Sequence, residues 1–206
     1  MNPARALTVS GLRADPRHAA RIGTLLAAVV LAVPPLRALA EASMALQMLI
    51  LLPLVFACGW GLPAWLGGVR QANLAAATRP YALALQTFAT FATSVWMVPL
   101  ALDLSRLDST VNLAKYALVL AAGTAARLGC RGGAWPVTLF FAGNFVWMMV
   151  TAGALYLDAE RRLCGNFLLR DQQIAGAGLV GGGLLLGIAL CLWAAHHATP
   201  QAGTSR

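Results

Sequence analysis

Charge is scarce in this chain. Only 11% of its 206 residues are Asp, Glu, Lys or Arg, where a soluble domain carries about 25%, and that shortage excludes an ordinary soluble globule. Acidic residues are the scarcer sign, 7 against 15 Lys and Arg, for a formal net charge of +8. The excess reads as loop arginine that sets membrane orientation. Nucleic acid is excluded as a partner, because it would need a basic soluble face carrying aromatics and no such segment exists. Cysteine is limited to Cys58, Cys130, Cys164 and Cys191, far apart, with no CxxC and no disulfide framework. Histidine is limited to His18, His196 and His197, all in the terminal segments, which excludes an imidazole-built site within the apolar part. No Ser–His–Asp set, HExxH, P-loop or GxGxxG context is present, so the sequence is not read as an enzyme. A small-residue cleavage site is also missing; Pro34, Pro35 and Arg37 follow the first apolar run instead, so no cleavable signal peptide is expected.

Apolar residues are what the chain has, 59% of it, for a mean hydropathy of +0.71. The stretch 41–61, EASMALQMLILLPLVFACGWG, organises the rest. It is uncharged from Ala42 to Leu62, long enough to cross a hydrocarbon core, which takes about 20 apolar residues. Its polar groups gather at one end: Glu41, Ser43, Met44, Gln47 and Met48, with the two methionines four apart on one helical face. Pro53 predicts a kink. The expected fold is all-α, a polytopic membrane helix bundle of about six transmembrane helices over 22–35, 42–62, 81–102, 111–126, 134–157 and 174–195. These form one membrane domain, residues 22–195, between tails 1–21 and 196–206. Residues 63–79 read as a Gly-rich basic loop, 127–133 as a tight basic turn and 158–173 as a charged loop.

Six spans put both termini on one side. Nine basic residues share that side (Arg5, Arg13, Arg17, Arg21, Arg70, Arg79, Arg127, Arg131, Arg206), against six opposite (Arg37, Arg106, Lys115, Arg161, Arg162, Arg170). The positive-inside rule then predicts cytoplasmic termini. Six of the seven carboxylates, all but Asp15, fall on the outer side. On this orientation Met44, Met48, Met97, Met148 and Met149 lie at or beyond the midplane towards the outside, with Cys164 in an outer loop. Thioether and thiolate are soft ligands that suit Cu(I), which makes Met44, Met48, Met97 and Cys164 the candidate metal set. Methionine also fills irregular gaps between helices, and the sequence leaves both readings open. Asn144 near a midplane, on one face with Trp147 and Thr151, reads as an interhelical hydrogen-bonder or a functional group. Lys115 reads as snorkelling to the interface or as pairing with Asp103 or Asp108. In the last span, Gly178 with Gly182 and Gly183 with Gly187 form small-xxx-small spacings that permit close helix approach.

The order of short motifs resembles the CtaG family of cytochrome c oxidase assembly factors, bacterial multi-span proteins linked to copper insertion into the oxidase. The similarity runs from about residue 41 to 190. The family's HMxxH segment matches Ser43-Met44-Ala45-Leu46-Gln47, followed by the Leu-rich, Pro-containing MLILLPLVFACG. Its WHxP matches Trp96-Met97-Val98-Pro99, and its HxxxH falls on Val111 and Lys115. A DQQxxG element is intact as Asp171-Gln172-Gln173-Ile174-Ala175-Gly176. Every family histidine is replaced, by Ser43, Gln47, Met97, Val111 and Lys115. The resemblance implies the fold, an outer-face site that includes Gln47, Lys115, Asp171 and Gln172, and a multi-pass place in the bacterial inner (plasma) membrane. It implies a respiratory oxidase subunit or another membrane protein as partner. The replacements leave two functions open: a thioether-based Cu(I) site, or a metal-free accessory or scaffold subunit of a membrane complex. A small-solute transporter would show internal repeats and midplane charge, and no convincing repeat is present.

Overall fold

The computed structural model describes residues 24–25, 28–29, 32–159 and 167–198; within them every regular element is helical and there is no strand. Both expected tails, except residues 196–198, lie outside the described residues, as do six of the fourteen residues of the first expected span and Cys164.

Helix α1, Pro34–Ala42, opens on two prolines, which cost nothing where a first-turn N–H has no partner anyway. Ser43 breaks the helix in an extended conformation. Helix α2 then runs Met44–Trp65, and the Ser43 hydroxyl accepts the Leu46 N–H at 3.2 Å, a conventional N-cap. Pro53 has no N–H and its ring crowds the carbonyl four residues back. The chain accommodates it with a π-helical stretch, Gln47–Leu51, in which the Leu52 N–H reaches back to the Gln47 carbonyl.

The expected loop 63–79 is instead mostly helical. A 3-10 turn, Leu62–Trp65, closes α2, and only residues 66–67 separate it from α3, Gly68–Val95. Leu, Ala, Gln and Arg in that segment are good helix formers, which outweighs the glycines at its start. The expected third span 81–102 is broken. Residue 98 is held extended before Pro99, as proline demands of its predecessor, and α4, Pro99–Leu107, leaves α3 at 71°. Asp108 caps α5, Ser109–Gly132, accepting the Thr110 N–H at 2.7 Å. Helix α5 continues through the expected turn at 127–133 and stops at Gly133. Helices α6, Trp135–Asp158, and α7, Leu169–Ala198, complete the fold.

Three of these helices, α2, α6 and α7, are long and apolar enough to cross a membrane, and α3 with α4 makes a fourth if the bent pair is one span. The protein is therefore a membrane protein. Helix α5 matches them in length, 24 residues, or about 36 Å at 1.5 Å per residue, but carries Lys115, Arg127 and Arg131. It packs between α2 and α3.

The packing divides into two units. In the first, α2, α3 and α5 lie backbone to backbone. A Cβ on Gly59 would stand 2.0 Å from the Leu120 carbonyl oxygen, and one on Gly123 would stand 2.1 Å from that of Phe56. Small side chains continue the seam between α3 and α5: Ala89, Ala92, Ala122 and Ala125 form one buried cluster. The second unit is the α6–α7 hairpin, where a Cβ on Gly153 would fall 2.7 Å from the Gly176 carbonyl oxygen. Gly183 and Gly187 face Val150 and Val146 of α6, so the small-xxx-small spacings are largely used inside the fold.

Helix direction sorts the charges. One end of the bundle holds Glu41, Asp103, Asp108, Asp158 and Asp171 with Arg37, Arg106, Lys115 and Arg170; the other holds Arg70, Arg79, Arg127 and Arg131 and, among the described residues, no carboxylate. The hairpin is tied to the three-helix unit at the first end. Towards the second, a cavity of about 350 Å³ opens between them.

Candidate functional site

The mixed-charge end is built from the start of α2, the α3–α4 break, the start of α5 and the facing ends of α6 and α7. Its organising residue is Asp171, in the first turn of α7. The carboxylate accepts the Ser43 hydroxyl at 2.6 Å, the Met44 N–H, and the Ala45 N–H at 3.4 Å. A carboxylate from a distant helix thus caps the start of α2, where free N–H groups and the helix dipole favour negative charge. Gln172, next along, is buried and donates to the Tyr156 carbonyl at 3.2 Å. Tyr156, fully buried, donates to the Met97 carbonyl at 2.6 Å, within the break between α3 and α4. Asp171, Gln172 and Tyr156 therefore form a clasp that holds α7 to α2 and α6 to the broken helix.

Inside the clasp lie the methionines. Met44 is fully buried and Met48 nearly so, in one cluster with Leu52, Trp96, Leu102 and Tyr156, and Met97 and Met149 pack against it. The structure thus brings Met44, Met48 and Met97 to one apolar cluster. Cys164 lies outside the described residues. Between Met44 and Met48 sits Gln47, 0% exposed, at the start of the π-helical stretch. Neither its Oε1 nor its Nε2 has a hydrogen-bond partner, and nor does the buried Trp96 Nε1. Each such atom costs about 1–3 kcal/mol of desolvation, and a buried orphan of this kind calls for an explanation, a bound water or ion being one. A π-bulge at the same spot is a frequent companion of function.

Lys115 is buried to 1% exposure, which is not a snorkelled position. Its ammonium donates to Ser105 Oγ at 3.4 Å and lies 5.0 Å from the Tyr116 ring centroid. Ser105 in turn donates to the Leu102 carbonyl at 2.8 Å. The carboxylate that acts on this charge is Glu41. Glu41 accepts from the Tyr116 hydroxyl and from Asn112 Nδ2, and Arg106 donates to its backbone carbonyl. Glu41, Ser105, Tyr116 and Tyr156 were not singled out by the motifs. Glu41 carried a signal, as the acid that opens the organising stretch. Ser105 carried none, because its inward direction follows from the 71° bend.

Asn144 does not join this site. It is exposed, on an outward face of α6 with Trp147, 70% exposed, and Thr151, whose hydroxyl turns back to the Trp147 carbonyl at 2.9 Å. Among the described residues no three His, Cys, Asp or Glu side chains come together. A metal at the clasp therefore depends on thioether sulfur, with Gln47 Oε1 as an oxygen in reach of the same helix turn. Those donors fit a soft monovalent ion; the buried ammonium of Lys115 works against any cation. A scan against protein-family models and searches of curated proteins and of solved structures find no match to this chain.

Proposed function

We propose that the chain is a multi-pass inner-membrane assembly factor that holds Cu(I) as cargo on its way into a respiratory oxidase. In this reading six spans place both termini in the cytoplasm, and the clasp faces outwards. The observation that carries it is the convergence of Met44, Met48 and Met97 on one apolar cluster beside the unpartnered Gln47 amide. Two methionines one helical turn apart and a third from the α3–α4 break supply neutral, soft donors. A dry site keeps water and oxidant from the ion. The positions that the resemblance assigns to histidine, Ser43, Gln47, Met97, Val111 and Lys115, belong to this same end of the bundle.

Lys115 favours a second reading, a metal-free accessory subunit. A fixed ammonium at this end repels a second cation by about 4 kcal/mol if 4 Å away at an effective dielectric of 20, and Glu41 offsets part of that. Cu(I) offered under reducing conditions to the full-length protein in detergent separates the two. The cargo reading expects copper to be retained with sulfur ligation in X-ray absorption. Met44→Leu, Met48→Leu and Met97→Leu should each weaken retention about tenfold or more, the worth of 1.4 kcal/mol. A wild-type protein that retains none, while Lys115→Met gains retention, would establish that lysine has taken the ion's place.

A further inference from the structure

The cavity at the arginine end is used by nothing described above. It is lined on α2 by Phe56 and Trp60, on α3 by the row from Gln86 to Thr93, and on α6 by the row from Thr138 to Phe145. Each row covers two helical turns, about 10 Å, so the long axis of the cavity follows the helices. Its volume of about 350 Å³ lies within the range of small-ligand sites, about 300–1,000 Å³.

The wall looks polar in sequence and is apolar in fact. Thr90 Oγ1 donates to the Gln86 carbonyl at 3.0 Å, and Thr93 Oγ1 to the Ala89 carbonyl at 2.8 Å. Gln86 Nε2 donates to Thr138 Oγ1 at 3.3 Å. The Thr90 and Thr93 hydroxyls are spent on their own helix and Thr138 on Gln86, so a sugar, nucleotide or ion would find almost no partner. An alkyl chain needs none.

What lies beside the wall is different. Arg127 is 6% exposed, and one of its nitrogens donates to the carbonyl of Trp60, a cavity residue, at 2.6 Å. Arg131 is exposed one turn further, and its charge acts on Arg127. Arg79 is exposed where α3 passes Gly132. No carboxylate among the described residues shares this end. A guanidinium has five donors, and a buried one without a counter-charge is costly. Phosphate matches it in charge and in geometry.

We propose that this cavity is a lipid site, in which one acyl chain of an anionic phospholipid lies between the three-helix unit and the hairpin while its phosphate rests on Arg127, Arg131 and Arg79. The proposal does not rest on the copper reading.

Full-length protein reconstituted in phosphatidylcholine vesicles with or without phosphatidylglycerol, then extracted gently, should retain phosphatidylglycerol in native mass spectra. Phosphatidylcholine should be lost. Arg131→Gln and Arg79→Gln, both surface changes, should each weaken retention roughly fivefold, the worth of one basic residue at a membrane surface. Ala142→Trp, which fills the cavity from α6, should abolish it. Phosphatidylglycerol brominated along its chains, supplied at about one molecule per protein and retained through extraction, should quench part of the tryptophan emission in the wild type, and that quenching should be smaller in Trp60→Phe, a readout that needs no cavity-filling variant. Equal retention of both lipids, or quenching unchanged in Trp60→Phe, would overturn the proposal.

Discussion

The two ends of the bundle meet the same packing problem in opposite ways. At the clasp, polar side chains from distant parts of the chain reach across to backbone groups: Asp171 to the start of α2, Gln172 to Tyr156, Tyr156 to Met97. At the arginine end, the α6–α7 hairpin stands off from α3 and α5, and an apolar cavity fills the gap. In lipid, burying apolar surface gives no general advantage, so helices associate through close backbone approach and interhelical hydrogen bonds. The three-helix unit uses the first and the clasp uses the second. At the cavity the hairpin keeps its distance, and a single long hydrogen bond, Gln86 to Thr138 at 3.3 Å, is seen across the wall.

The sharpest way to break this division is to attack the backbone seam. Gly123→Leu places a side chain where even a Cβ would be 2.1 Å from the Phe56 carbonyl oxygen. Overpacking costs typically 1–3 kcal/mol and more where backbone must move, so a loss of about 3 kcal/mol or more is expected, read as failure to recover folded protein in detergent. Gly181→Leu, with nothing within 4 Å of the added Cβ, is the matched control and should leave recovery unchanged. Next in size is the clasp. Asp171→Ala removes the carboxylate that caps α2, and a charged hydrogen-bonding group of this kind is worth about 1.5–3 kcal/mol. A lowered Tm is expected, with Ser43→Ala adding little on top because the two side chains act as one unit. If the two losses simply add, the clasp is not a unit.

Gln47 sharpens the comparison in the other direction. Gln47→Leu removes two unpartnered buried atoms and keeps the volume close, so the Tm should rise by the equivalent of about 1–2 kcal/mol. The same change should weaken Cu(I) retention. A site that gives up stability for a ligand behaves this way; a residue kept only for packing would show neither effect.

Much of this was legible in the sequence, and the failures have physical causes. The uncharged runs announced α2, α6 and α7. Met44, Met48, Lys115, Asp171 and Gln172 stood out by residue type and by resemblance. The break at Val98–Pro99 was missed inside an apolar run because hydropathy carries no information on backbone angle. Glycine and arginine make 63–79 look like loop, but the alanines and leucine of 68–78 decide for helix. The Ser43–Asp171 contact joins positions 128 apart, a pairing that no local pattern encodes. Most instructive is Asn144. In water the polar face of a helix points outwards, but a helix apolar on every side gives no such cue, and a single asparagine in it suggests an inward face that the structure does not show.

That residue supplies the smallest and last test. Asn144 lies between the two ends, on the outward face of α6 beside Trp147. If lipid covers that face, Asn144→Leu trades a polar group for an apolar one at the surface, where substitutions stay within about 0.5 kcal/mol. The Tm, copper retention at the clasp and lipid retention at the arginine end should all be unchanged. A fall in any of them, or the loss of a co-purifying chain, would mean that α6 is covered by protein. The hairpin would then be held along its length as well as at the clasp, and the contrast between a tied end and an open end would reduce to the absence of a partner.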